Sequence, residues 1–259
     1  MTDILSELAG EARRRVIKSM EETPPEELKS GVRKLHGFPF EEALKKEGMS
    51  FICEIKKASP SKGIISEDFP YLEIAKEYEA AGASCISVLT EPSRFLGKID
   101  YLSEISKAVG IPVLRKDFVV DEYMIYEAWR AGASAVLLIC SILDEQSLER
   151  FIGLCHSLGM SALVEVHDAG EVSAALRCGA RIVGVNNRNL RDFTVDARNC
   201  LDLRPLVPEG VIFVAESGIG TRSDVEILEK NGVDAVLVGE SLMKSADKSL
   251  KLSELRGYR

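Results

Sequence analysis

The chain has 259 residues, 46% hydrophobic and 29% charged, with 20 Gly and 9 Pro, a composition that excludes disordered and collagen-like classes. Acidic residues outnumber basic ones by 41 to 33, a formal charge of −8 with no long run of either sign, which argues against nucleic acid as a partner. The longest apolar stretch, residues 135–140, falls far short of the roughly 20 residues a bilayer span needs, so no membrane segment is expected.

The opening MTDILSELAGEARRR places Asp3 and Glu7 where an export signal would need a basic end and then an apolar run, so the expectation is a cytoplasmic protein. Residues 1–50 read as a helical extension: a charged helix over 4–20, the breaker Thr23-Pro24-Pro25, and a second, polar helix near Phe40 to Glu47. From residue 51 onward, short apolar and partly β-branched runs alternate with segments of helical period. FICEIK (51–56) is the first strand and YLEIAKEYEAA (71–81) a helix leading to AAGASCISVL (80–89). PVLRK (112–116), the helix DEYMIYEAWRA (121–131) and RAGASAVLLI (130–139) come next. The helix DEQSLERFIGLCHSLG (144–159) leads to SALVEV (161–166), and DAGEVSAALRCG (168–179) to RCGARIVGVN (177–186). VIFVAE (211–216), TRSDVEILEKNG (221–232) and KNGVDAVLVG (230–239) close the series.

Four of these units share a helix end, a small-residue turn and a strand, with Gly82, Gly132, Gly179 and Gly232 spaced by 50, 47 and 53 residues. That spacing is twice one strand-plus-helix unit, and the remaining strands fall between them. Eight strands alternating with helices predict a closed (β/α)8 TIM barrel over 51–259, preceded by the extension 1–50. An open doubly wound sheet would want a G-x-G-x-x-G turn after the first strand, and FICEIKKASPSKG lacks one. The six cysteines form no C-x-x-C pair, and His36, His156 and His167 share no ligand spacing with them; buried reduced thiols and no structural metal are expected.

In such barrels chemistry gathers where the strands end, so polar residues closing apolar strands are the candidates. They are Glu54 and Lys56 on strand one, Arg115, Lys116 and Asp117 on strand three, and Glu165 on strand five. Asn186, Asn187 and Arg188 end strand six, Glu216, Ser217 and Gly218 strand seven, and Gly239 and Glu240 strand eight. Alternation puts Glu54 with Lys56, Leu114 with Lys116 and Leu163 with Glu165 on shared faces. Charges in an apolar interior are costly unless paired, so two lysines among two or three glutamates point to acid–base chemistry. Confinement with another cation would lower a lysine's pKa and neighbouring glutamates would raise it; residue types alone leave the net direction open. The glycine turns AESGIG (215–220) and VGES (238–241) follow strands seven and eight, the loops that often cradle phosphate on backbone N–H groups. A phosphorylated small molecule is the implied ligand.

FICEIKKASPSKG (51–63), with Glu54, Lys56, Ser59, Pro60 and Ser61, resembles the signature of indole-3-glycerol phosphate synthases. VLRKDFVVDEYMIYEAWRAGASAVLLI (113–139), ALVEVHD (162–168), VGVNNRNL (183–190), VAESGI (214–219) and VLVGESLM (236–243) resemble that family's strand-end motifs in order and spacing. The resemblance covers about residues 30–250 and implies a (β/α)8 barrel that works without metal or organic cofactor. The implied reaction turns 1-(2-carboxyphenylamino)-1-deoxyribulose 5-phosphate into indole-3-glycerol phosphate, carbon dioxide and water. By position, Lys116 matches the general acid on the substrate carbonyl and Glu165 the acid/base on the ring-closed intermediate. Lys56, paired with Glu54, matches the contact to the substrate carboxylate and a candidate acid for dehydration, and the likeness leaves open which lysine donates which proton. Asn186 and Arg188 match positioning residues, and Glu216 with Ser217 the polar pair ending strand seven. Ser59, Gly218, Gly239 and the Glu240 backbone match the phosphate site, while Phe95, Phe118 and Leu137 would bound the aromatic end of the substrate. The family likeness also implies a helix of the extension packed by the barrel mouth, and it leaves room for association with other tryptophan-pathway enzymes.

Two departures stand out. Ala58 occupies a position that is basic in some members, with Lys57 and Lys62 alongside, and Glu240 is an odd neighbour for a dianion unless its carboxylate turns away. Phosphoribosylanthranilate isomerase, the nearest enzymatic alternative, would want a cysteine base ending strand one, where this chain has Lys56. A barrel that only binds a phosphorylated ligand would be marked by loss of Lys116 or Glu165, and both are present.

Overall fold

A computed structural model describes residues 4–189 and 193–258. Eight parallel strands close into a barrel: β1 (Ser50–Ile55), β2 (Cys85–Leu89), β3 (Val113–Lys116), β4 (Ala135–Ile139), β5 (Ser161–Val166), β6 (Ile182–Asn186), β7 (Ile212–Glu216) and β8 (Ala235–Val238). Each pairs with its neighbours in chain order, and β8 pairs with β1, so no edge is left open. Helices cover the outside, which is why these strands are buried along their length and read as apolar runs. The covering helices are α4 (Tyr71–Ala80), α5 (Ile99–Ala108), α6 (Glu122–Arg130), α7 (Glu145–Ser157), α8 (Ala169–Arg177), α9 (Arg198–Leu203), α10 (Arg222–Lys230), α11 (Glu240–Lys244) and α12 (Lys248–Arg256). Asp121, Asp144, Asp168, Thr221 and Asp247 each accept a backbone N–H at a helix start, and Thr221 with Asp224 forms a reciprocal capping box. The repeated Gly82, Gly132, Gly179 and Gly232 have φ of +87°, +89°, +84° and +74°, so they are the left-handed stops that turn each helix into the next strand. No helix among the described residues is long and apolar enough to cross a membrane.

The extension holds α1 (Ile4–Glu22), α2 (Pro25–Lys29) and α3 (Pro39–Leu44), and it works at both ends of the barrel. The sequence reads the third of these as polar, yet Phe40, Glu41, Ala43 and Leu44 are buried. They close the end where the strands begin. Ser50 Oγ, at the start of β1, donates to the carbonyls of Ala43 (3.4 Å) and Leu44 (3.3 Å). Ser161 Oγ, at the start of β5, donates to Glu41 Oε1 (3.3 Å), and Arg181, just before β6, pairs with the same carboxylate at 2.9 Å. The helix therefore plugs the end opposite the mouth.

At the other end α1 lies beside the mouth, as the family likeness implies. It buries Leu5, Leu8, Ala9, Ala12 and Val16. Its polar anchor is Arg15, 2.6 Å from Asp117, the residue that follows β3. Asp117 also accepts from Thr90 Oγ1 (2.5 Å), Arg115 (3.2 Å) and the Phe118 N–H (2.8 Å). Burial alone would push this carboxyl up, but the Arg115 and Arg15 guanidiniums and the Thr90 hydroxyl outweigh it and hold it below the ordinary carboxylate range. Asp117→Ala leaves Arg115 buried with one anion fewer and unfastens α1, and is expected to cost about 3–5 kcal/mol, read from urea midpoints. The sign with pH follows from the lowered pKa. The contribution is present above the unfolded carboxylate value of about 4 and is lost as pH falls through the folded one. Wild type should thus lose more stability on acidification than the variant does.

Candidate active site

All eight strands contribute to the wall of a cavity of about 570 Å³ at their C-terminal ends, a size suited to a small molecule. At its floor Lys116 Nζ lies 3.0 Å from Glu165 Oε2 and 2.7 Å from Glu216 Oε2, both carboxylates being almost wholly buried. Alternation and register explain the meeting, since Lys116 ends β3, Glu165 sits one residue before the end of β5, and Glu216 ends β7. Gly184 on β6 lies in register with Glu165 and makes the space, because a Cβ there would collide with the Glu216 carboxylate. Beside this cluster Lys56 Nζ is 2.5 Å from Glu54 Oε1. A Cβ on Gly239 would strike the Glu54 carboxylate, which gives that glycine a packing reason in addition to the turn it makes.

Three buried glutamates around two lysines leave one excess negative charge, and the electrostatics respond. Burial disfavours the Lys116 ammonium, but the Glu165, Glu216 and Glu54 charges dominate and its pKa is raised. The direction left open by residue types is thereby fixed: Lys116 stays charged. Glu216 absorbs the excess, because burial and the Glu165 charge outweigh the help of Lys116 and push it up to about 7. Burial also works against the charged form of Glu165, yet Lys116, His167 and Asn186 hold it below its ordinary value.

One side of the cavity is apolar. Phe95 and Phe118 face each other with ring centroids 6.2 Å apart, and Leu137 is among the aliphatic side chains between them and the floor. Glu91 fixes the loop that presents Phe95 by accepting the backbone N–H groups of Ser93, Arg94 and Phe95 at 2.7, 2.8 and 3.0 Å. Ile4, Leu5 and Leu8 of α1 and Phe193 also line the cavity.

The opposite corner is built for an anion. Ser59, Ser61, Gly218, Gly239 and Glu240 line it, and Gly218 (φ +78°) follows Ser217 (φ +65°), a non-glycine residue held in the left-handed region. The Ser217 carbonyl is fixed by Asn187 Nδ2 at 3.2 Å. The Gly220 N–H is already taken by Asp224 (2.9 Å), so the cradle after β7 centres on Gly218. The Glu240 carboxylate turns to three cations, Lys244 (2.7 Å), Arg188 (3.4 Å) and Lys62 (3.6 Å), leaving a net positive corner. Ala58 is buried in a two-residue ladder, Ala58–Ser59 against Gly63–Ile64, and Lys62 supplies the positive charge instead. Arg188 is placed by its own N–H on Asn186 Oδ1 (3.0 Å) and by its side chain on the Phe193 carbonyl (3.3 Å). Leu190, the last residue of the VGVNNRNL motif, lies outside the described residues.

Of the candidate residues taken from the strand ends and from the family likeness, all but Arg115 and Asn187 line one cavity; Arg115 is buried against Asp117 and Glu127, and Asn187 braces the Ser217 carbonyl from behind. Missed were the α1 side chains, Phe193 and Val195, and Thr90 and Glu91. The last two close an apolar strand with polar residues and were open to the same rule that found the others.

Fold and cavity together define a (β/α)8 barrel whose mouth holds a buried lysine–carboxylate cluster in a cavity of a size for a phosphorylated small molecule. The family model described as indole-3-glycerol phosphate synthase matches residues 5–255. A relative of that name from Ruminiclostridium cellulolyticum is 53% identical over 257 residues, 98% of this chain and 99% of the relative. Another, from Lachnoclostridium phytofermentans, is 57% identical over 219 residues, 85% of this chain and 81% of the relative. The chain belongs to the indole-3-glycerol phosphate synthase family, whose members are decarboxylating lyases. Among solved structures a 3-hexulose-6-phosphate synthase aligns with a TM-score of 0.66 at 17% identity over 81% of this chain and 99% of the other, a likeness of fold alone.

Proposed function

We propose that the chain carries out the ring closure of its family in tryptophan biosynthesis, with the roles divided as follows. The substrate, 1-(2-carboxyphenylamino)-1-deoxyribulose 5-phosphate, lies across the cavity with its phosphate in the positive corner and its ring against Phe95, Phe118 and Leu137. The ring carbon bearing the carboxylate bonds to the sugar carbonyl carbon, the carbonyl π pair moves to oxygen, and Lys116 protonates that oxygen. An alkoxide is basic enough to take a proton from an ammonium whose pKa is raised. Carbon dioxide leaves its bonding pair to the ring, which regains aromaticity. Departure of the hydroxyl as water and removal of the neighbouring carbon-bound proton by Glu165 complete the indole.

Lys56 holds the carboxylate before it leaves and then stands ready as the acid for dehydration, oriented by Glu54. Glu216 keeps Lys116 extended toward the carbonyl, and Asn186, Arg188 and Ser217 orient the sugar chain. Ser59 and the N–H groups of Gly218, Gly239 and Glu240 take the phosphate. The apolar walls and α1 keep water from the reacting centre. The protein is read as acting in the cytoplasm, beside the other enzymes of the tryptophan pathway.

The observation that carries this reading is Lys116 between two buried carboxylates, on the floor of a cavity that is apolar at one end and cationic with glycine turns at the other. Purified protein incubated with the substrate and EDTA should produce indole fluorescence in proportion to protein concentration. Binding without product would reduce the protein to a ligand-holding barrel. In the same assay Ser59→Ala is expected to raise KM by about tenfold with kcat little changed, because a phosphate contact serves ground and transition states alike. An unchanged KM would remove Ser59 from the phosphate site.

A further inference from the structure

The proposed reaction has a proton balance that the cavity residues cannot close among themselves. The substrate enters with an ionised carboxylate and loses it as neutral carbon dioxide, so each turnover takes one proton from water. Substrate occupying the mouth blocks the direct way in.

A second way exists behind Glu165. Its Oε2 is engaged by Lys116, while its Oε1 is buried without a hydrogen-bond partner. That oxygen lies 3.6 Å from His167 Nε2, which is likewise buried without a hydrogen-bond partner. The other ring nitrogen, Nδ1, is 3.3 Å from Glu171 Oε2 on α8. Exposure rises from Glu165, whose side chain is 2% exposed, to His167 and Glu171, at 22% and 21%. Neither His167 nor Glu171 lines the cavity, yet both side chains are partly exposed, so solvent reaches them outside it. The ring is also held. The His167 backbone N–H donates to Glu171 Oε2 (2.7 Å), its carbonyl accepts from Asn199 Nδ2 (3.2 Å), and Asp168 caps the helix that carries Glu171.

We propose that His167 and Glu171 form a proton inlet that recharges the Glu165–Lys116 pair from solvent while substrate fills the mouth. The imidazolium gives its Nε2 proton to Glu165 Oε1, and a turn of the carboxyl hands that proton to the Lys116 amine left neutral by ring closure, so Glu165 is ionised again before it takes the carbon-bound proton. The neutral ring, still protonated at Nδ1, regains its lost proton at Nε2 when it turns toward water at Glu171. The carbon-bound proton taken by Glu165 offsets the one Lys56 gives to the leaving hydroxyl, so one proton enters for each carboxylate lost. His167 touches no substrate and acts through Glu165. The charges facing the ring are Glu165 on β5, two residues before it, Glu171 on α8 and Glu216 on β7, with the Lys116 cation beyond Glu165. Burial disfavours the imidazolium, but the Glu171 hydrogen bond and these three carboxylates outweigh it, so the ring's pKa is raised and its charged form is available near neutrality.

The inference rests on the activity proposed above, and wild-type turnover checks that activity before any variant is read. His167→Gln is expected to lower kcat by about tenfold or more with KM unchanged and a larger solvent isotope effect. Added imidazole should restore much of the loss in proportion to its concentration. Glu171→Gln is expected to move the pH–rate profile and the NMR titration midpoint of His167 to lower pH, because a carboxylate that favours the imidazolium is gone. An unaltered kcat in His167→Gln, or a fall that imidazole does not relieve, would overturn the inlet. An unmoved His167 midpoint in Glu171→Gln would overturn it as well, whether or not His167→Gln folds. A wild type with no turnover would instead overturn the activity itself.

Discussion

Replacing Lys116 with methionine is expected to lower kcat by about 10²–10⁴-fold while KM stays within a few-fold and the protein remains folded. Methionine keeps the bulk of the stem and removes the cation between Glu165 and Glu216. The fold survives because one carboxylate can take a proton instead, and Glu216, already pushed up to about 7, is the one poised to do so. The contacts proposed for phosphate and ring lie elsewhere in the cavity, so affinity has no reason to collapse with turnover. Steady-state kinetics and thermal unfolding of the same preparation check both halves. Near-normal kcat would take the role of acid away from Lys116, and loss of folding would make it a structural ion pair.

Glu165→Gln is expected to cost about 10²–10³-fold in kcat for a different reason. The amide still accepts from Lys116 but cannot take a carbon-bound proton, so the block falls after carbon dioxide has left. In a single turnover, carbon dioxide should appear at about one equivalent per site while indole fluorescence lags behind it. Release of both in step would place Glu165 before decarboxylation or outside the proton transfers. The variant also removes an anion that raises the Lys116 pKa, so the alkaline limb of its pH–rate profile should move to lower pH.

The barrel was legible because its strands are buried on both faces and its helices end on repeated left-handed glycines, so apolar runs and glycine spacing mark every unit. The cluster was legible for the complementary reason. Charged residues closing apolar strands have no cheaper place than a shared polar site, and Glu54, Lys56, Lys116, Glu165 and Glu216 meet there. Pairings between segments remote in sequence were not legible. Glu41 reads as a solvent-facing charge until Ser161 and Arg181, more than a hundred residues on, close around it. Arg15 looks like one more charge on a charged helix, and only the fold brings it to Asp117. His167 shares no motif with another histidine, and its place between Glu165 and Glu171 depends on how the chain leaves β5 and enters α8.

The central claim, that Lys116 delivers the proton that accompanies ring closure, is tested most directly by a crystal structure of Lys116→Met with unreacted substrate bound. The account predicts the phosphate on the Gly218 and Gly239 turns and the ring against Phe118. It also predicts the substrate carbonyl oxygen within about 3 Å of where the wild-type Nζ lies, between Glu165 and Glu216. A carbonyl oxygen facing Lys56 instead, or a phosphate lodged over the carboxylates, would contradict it.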